Sequence, residues 1–163
     1  MNKKYELTDE TKGIGGITLH RIRALMDISR YGVRAGDIGG WIEAESNLSQ
    51  YDNAWVSDDA WVSDDARVYD NAWVYGEAEV CGDALVKSIR DYAVFKNGWS
   101  SGRWFTYTRS NRMWRVGCFH GTGEELIAKA YKDSELSGKC YEAIVRAAET
   151  IEAAQAETKG EAK

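Results

Sequence analysis

Between about Asp52 and Lys87 the apolar positions keep a strict six-residue rhythm. Val56, Val62, Val68, Val74, Val80 and Val86 recur in step, and two positions before each stands an alanine, from Ala54 to Ala84. A helix needs apolar spacings of three and four, and an antiparallel meander needs longer strands, so neither gives an unbroken six. Between one valine and the next alanine lie residues that tight turns tolerate, as in Asp70-Asn71 and Gly76-Glu77. Each hexad reads as a short strand followed by a corner, with alanine and valine facing inward. Three hexads per coil would set residues eighteen apart above one another at the roughly 4.8 Å spacing of paired strands. Gly40-Ile42 and Ser46-Leu48 add a partial coil before a two-residue slip at Gln50-Tyr51.

Stacking also predicts outward columns: Trp55 over Trp73, Ser57 over Tyr75, Asp59 over Glu77 and Asp65 over Asp83. Trp55, Trp61, Trp73 and Tyr75 are the candidate oligomer interface; the alternative is that the tryptophans pack under a neighbouring lobe of the same chain. Two coils are few for a repeat structure, which usually needs about three stacked units, so the ends must be capped or the faces buried between copies.

On either side the pattern changes. Tyr5-Glu6-Leu7 and Ile17 to Ile22 read as short strands before Gly-rich turns at Gly32, Gly36, Gly39 and Gly40. Tyr92 to Phe95, Trp104 to Thr108 and Met113 to Val116 read as strands of a small antiparallel sheet, with Arg109 to Arg112 as a hairpin turn. Thr122-Gly123-Glu124-Glu125 is a capping-box pattern that opens a helix through about Lys132. A longer helix starts near Ser137 and puts Tyr141, Ile144, Val145, Ala148 and Ile151 on one stripe, with fraying expected from Ala154.

Composition narrows the function classes. A chain of 163 residues with 44% apolar content can build a core. Without a basic, apolar leader or an apolar run of the roughly 20 residues needed for a span, it is expected to be soluble, unexported and cytoplasmic. Cys81, Cys118 and Cys140 match neither a disulfide framework nor a zinc pattern, which suits a reducing compartment; no metal or cofactor is expected. The net charge of −5 conceals zones of opposite sign. From Asp37 to Leu85 acids face Arg67 alone, whereas from Val86 to Val116 seven basic residues, Lys87, Arg90, Lys96, Arg103, Arg109, Arg112 and Arg115, face only Asp91.

The hexads resemble the hexapeptide-repeat left-handed β-helix family, which includes many acyltransferases that trimerise. The run Val33 to Glu43, continuing into Asn47 to Gln50, resembles the N-terminal cap of phage and prophage members often labelled transferases. Phe95 to Arg103 and Val116 to Gly123 resemble the accessory lobe of the same group. The resemblance implies a mainly β fold: an N-terminal β cap over 1–40, a short left-handed parallel β-helix over 41–91, and an α+β lobe over 92–163 holding a small antiparallel sheet and two helices. A homotrimer is the family's expectation.

Fold alone does not give function. Acyltransferases of this fold use a histidine base beside the acceptor. No histidine lies in the hexads, and His20 and His120 read as structural or surface residues, so the enzyme reading comes third and no catalytic residue is assigned. The segment Trp99 to Arg115 carries more information, because its aromatics can stack on a base and its arginines can grip phosphate bidentately. Trp99, Ser100, Ser101, Arg103, Tyr107, Arg109 and Arg112 are the candidate ligand residues, for a nucleotide or other phosphate-bearing ligand. The alternative for this segment is a hairpin whose aromatics pack on the helix and whose arginines pair with the acidic hexads. The leading functional reading is a non-enzymatic, phage-type counter-defence protein that sequesters such a ligand or blocks a host defence protein. The runner-up is an acidic nucleic-acid mimic that inhibits a host nuclease or CRISPR-type enzyme, in which Asp58, Asp59, Asp64 and Asp65 could be reversed to lysine with the fold intact.

Overall fold

A computed structural model describes residues 2–161. Strands β1 (Tyr5–Ile14) and β2 (Ile17–Ala24) form an antiparallel hairpin that turns at Gly15-Gly16, and β3 (Ile38–Ile42) adds to β2. Six two-residue strands follow, one per hexad: β4 (Trp55–Val56), β5 (Trp61–Val62), β6 (Arg67–Val68), β7 (Trp73–Val74), β8 (Glu79–Val80) and β9 (Leu85–Val86). Every alanine of the repeat is fully buried, and the valines are buried to within 1%. The six-residue rhythm thus marks side chains that fill one narrow interior.

The stacking offset of eighteen is what the strand pairs show. Trp55 lies parallel to Trp73, Trp61 to Glu79 and Arg67 to Leu85. A continuous parallel β-helix is not what forms, and that expectation is corrected. The strands divide among four small sheets: a mixed five-stranded sheet in the order β1-β2-β3-β5-β8, two isolated parallel pairs, β4-β7 and β6-β9, and an antiparallel sheet of the C-terminal lobe. None of these sheets is closed or a solenoid among the described residues. The reason is physical. A corner every six residues leaves only two residues to pair on each side, and the N-terminal hairpin captures one side through β3, which makes that sheet mixed.

Gly39 and Gly40 allow that capture. A Cβ on Gly39 would meet Ile22 and Trp55 at 2.6 Å, and one on Gly40 would meet the carbonyl of Ala60 at 2.6 Å. The corners have their own device. Asp58, Asp64 and Asp70 adopt positive φ of 57–58°, a left-handed conformation that Asp tolerates better than most residues. Their neighbours in the stack are tied by carboxylates: Asp52 accepts the amide of Asp70, Asp58 that of Gly76 and Asp64 that of Gly82, at 2.6–3.0 Å.

Both ends of the stack are closed by side chains. At the first turn, carbonyls that lack a strand partner receive donors: Lys4 Nζ reaches the carbonyl of Ala54 at 2.6 Å, and Asn47 Nδ2 those of Asp64 and Ala66, both at 2.9 Å. At the last turn the orphans are amides, and they receive acceptors. The amide of Glu79 donates to Thr106 Oγ1, that of Leu85 to Ser110 Oγ and that of Lys87 to Asp91 Oδ2.

The C-terminal lobe supplies Thr106 and Ser110. Its sheet runs β10 (Tyr92–Lys96), β11 (Trp104–Thr108), β12 (Met113–Val116) and β13 (Phe119–Thr122), all antiparallel. Helix α1 (Gly123–Asp133) begins at a Thr122/Glu125 capping box, and α2 (Glu135–Glu161) packs Val145 and Ala148 against Phe105, Tyr107 and Trp114. The helix continues through Glu161, beyond the fraying expected from Ala154. Among the described residues no helix is long and apolar enough to cross a membrane.

Candidate functional site

The seven ligand residues expected between Trp99 and Arg112 do not share one surface. Trp99 packs into the lobe core, 6.1 Å from Phe105 and 5.8 Å from Tyr141 between ring centres. Ser100 and Ser101 accept from the Asn97 amide at 2.9 and 3.1 Å and hold a tight loop. Tyr107 donates to Glu152 at 2.6 Å, Arg109 donates to Gln155 and the Glu152 carbonyl, and Arg112 lies 3.5 Å from the same carboxylate. Arg103 is exposed beside Gly117. Burial pushes the Tyr107 hydroxyl above its ordinary pKa, and the Glu152 carboxylate adds to the shift. The aromatics pack against α2, as the alternative reading had it, but Arg109 and Arg112 pair with Glu152 of α2 and not with the acidic hexads. Arg115 does pair with a hexad acid, Glu79 at 3.5 Å, and lies over the Trp61 ring.

The expected oligomer interface is corrected in part. Trp55 and Trp61 are only 1% and 4% exposed within one chain: Tyr5 covers the first, while Leu19, Trp41 and Cys81 enclose the second. Trp73 is half-buried, and Tyr75 is 45% exposed. The acidic corners are also partly occupied, because the Asp58 and Asp64 carboxylates hold backbone amides. Reversing them to lysine would remove those bonds from left-handed positions, so it would lower stability as well as change the charge. His20 pairs across β2 with Ile42, and exposed His120 packs over Gly82. No cluster of three His, Cys, Asp or Glu able to hold a metal occurs among the described residues.

A different set of cations does converge. Three segments meet beside the corner after β9. A 3-10 turn over Ser29–Tyr31 brings Arg30 and Tyr31, and the turn Ile89–Asp91 brings Arg90 next to Lys87. The last turn of α2 brings Lys159. Together with Trp73, Asn71 and Ile89 they line an open cavity of about 660 Å³. Tyr31 stacks on Trp73 with ring centres 5.1 Å apart, and its hydroxyl donates to the Asn71 carbonyl. The one acid in the lining, Asp91, is committed to the turn: its carboxylate accepts from the amides of Lys87 and Ser88, both at 2.9 Å. Among the described residues none of Arg30, Lys87, Arg90 and Lys159 forms an ion pair.

A second cavity of similar volume lies on the β6-β9 side, around Tyr51, Arg67 and Leu85. It holds one cation against Glu45 and Asp52, so it offers an anion no net attraction. The basic run after Val86 signalled Lys87 and Arg90 in the sequence. Nothing local linked them to Arg30 and Lys159, which come from distant parts of the chain.

No family model matches the chain, and neither a curated protein nor a solved structure does.

Proposed function

We propose that this chain is a non-enzymatic binding protein that holds a phosphate-bearing ligand in the cavity lined by Arg30, Lys87, Arg90 and Lys159. The observation that carries the reading is the meeting of four cations, without ion-pair partners among the described residues, around a cavity whose single carboxylate is already bonded to backbone amides. Guanidinium groups fork onto phosphate oxygens, and lysines add mobile point charges, so two of each suit a ligand with more than one phosphate oxygen to satisfy. The acidic-mimic reading has less support, because part of the acid it would display is engaged in holding the corners together.

Inorganic pyrophosphate is the direct probe. Calorimetry should show stoichiometric binding that weakens as salt rises, and Lys87→Ala combined with Arg90→Ala should reduce affinity by at least tenfold. Pyrophosphate binding that ignores both substitutions would place the anion elsewhere and overturn this site.

A further inference from the structure

We propose that the ligand is a nucleotide whose base enters a second, adjoining cavity, with its phosphates among Lys87, Arg90 and their neighbours. This inference rests on the phosphate reading above and adds the other half of the ligand. The second cavity has a volume of about 350 Å³ and is lined by Tyr75, Glu77, Tyr92, Val94 and Trp104 with the backbone of Gly76. It shares Ile89 with the cationic cavity, so the two adjoin.

An aromatic strip joins them. Trp73, in the cationic cavity, lies 4.7 Å from Tyr75, and Tyr75 lies 6.4 Å from Tyr92, both in the second. Tyr92 is fixed by donating its hydroxyl to the Trp73 carbonyl at 2.8 Å. Tyr75 is 45% exposed, and the space beside the neighbouring Gly76 is open, since nothing lies within 4 Å of a Cβ placed there. Every base has a π-face, so an aromatic slot beside a phosphate cradle takes a nucleotide where inorganic polyphosphate would leave the slot empty. Glu77 lines the same cavity and is exposed, and its carboxylate is an acceptor, which suits a base that carries an exocyclic amine.

The third cavity of this neighbourhood, between β10 and α2 around Tyr107, Ala148 and Ile151, holds about 160 Å³ and is the smaller place for a ring. Its Tyr107 and Arg109 are already bonded to Glu152 and Gln155. The geometry favours the Tyr75 side.

Calorimetry with ADP, IDP and inorganic pyrophosphate separates the two halves of the claim. Stacking of one base is worth roughly a tenfold to hundredfold gain in affinity, so ADP should bind tighter than pyrophosphate by that ratio. ADP should also exceed IDP, whose base lacks the amine. Tyr75→Ala and Trp104→Ala should each bring the ADP to pyrophosphate ratio toward one, and Tyr75→Phe should keep it; pyrophosphate binding by each variant certifies its fold. If wild-type protein binds ADP and pyrophosphate equally, the base assignment falls and the phosphate site stands. Should neither bind, both fall. If only single-stranded oligonucleotide binds, with ADP inert, the mononucleotide assignment is overturned in favour of a nucleic-acid partner.

Discussion

The carboxylate of Asp58 accepts the backbone amide of Gly76 at 3.0 Å, and the two residues stand one full stacking interval apart. Asp64 and Gly82 repeat the relationship at 2.9 Å. One residue type thus serves two needs, tolerance of positive φ within its own corner and an acceptor for the corner above.

Substituting alanine removes both. Asp58→Ala and Asp64→Ala should each cost about 1–2 kcal/mol, from a lost hydrogen bond and a left-handed conformation that alanine resists. Asn keeps the tolerance and an acceptor, so Asp58→Asn should stay within about 0.5 kcal/mol of wild type. Urea unfolding of the three variants checks this, and an equally large loss in the Asn variant would refute the account.

Lys4 should make stability rise with alkaline pH. Its side chain is 3% exposed, and burial lowers its pKa to about 8 against the pull of Asp52 in the other direction. Between that value and the ordinary 10.5 the unfolded chain holds one more proton than the folded chain, so unfolding becomes less favourable as pH rises. Below about 8 both states are protonated and the slope vanishes. The buried Cys81 thiol, pushed up from 9 to about 11, acts in the opposite sense above about pH 9, and the buried hydroxyls of Tyr5 and Tyr92 join it above about pH 10, where unfolded tyrosine ionises. Urea titrations at pH 7.5 to 9.5 should show wild type gaining on Lys4→Met with a slope approaching about 1.4 kcal/mol per unit at the alkaline end. Equal slopes in the two proteins would show that Lys4 is not desolvated as described.

Thr106 is 1% exposed and accepts the amide of Glu79 at 2.9 Å. Thr106→Val keeps the shape and removes the acceptor, leaving a buried donor unanswered at a cost of about 1–3 kcal/mol. Hydrogen exchange at the Glu79 amide should accelerate selectively. Uniform acceleration across the lobe would instead mean that the substitution disturbs packing.

Glu152 gathers Tyr107, Arg109 and Arg112 onto α2. Glu152→Ala should cost about 2 kcal/mol, since hydrogen bonds to charged groups are the stronger kind, and should loosen the C-terminal half of α2 in hydrogen exchange. Because Lys159 lies beyond Glu152 on the same helix, pyrophosphate affinity should fall too. Unchanged exchange in α2 would show that the helix is held by its apolar stripe alone.

The interior of the hexads was legible because its geometry admits few residues: alanine and valine at fixed steps have no helical explanation. The strands Trp104–Thr108 and Met113–Val116 were also readable from β-branched and aromatic runs. The fate of the arginines was not. Arg109 and Arg112 look available in sequence because Glu152, their partner, lies far along the chain on another element. The same blindness hid Arg30 and Lys159. The missing solenoid has a related cause: a repeat fixes what points inward, whereas the capture of β5 by β3 depends on Gly39 and Gly40, which precede the six regular hexads.

The donors at one end of the stack and the acceptors at the other carry a consequence for assembly in a cell. A row of unpaired strand edges is a template on which further copies can add, and natural sheets guard against it. Here Lys4 and Asn47 occupy the carbonyls at one end, and Thr106, Ser110 and Asp91 occupy amides at the other, so these bonds are closed to an incoming strand. At these positions the side chains act as terminators, and a further strand would have to displace them before the stack could lengthen.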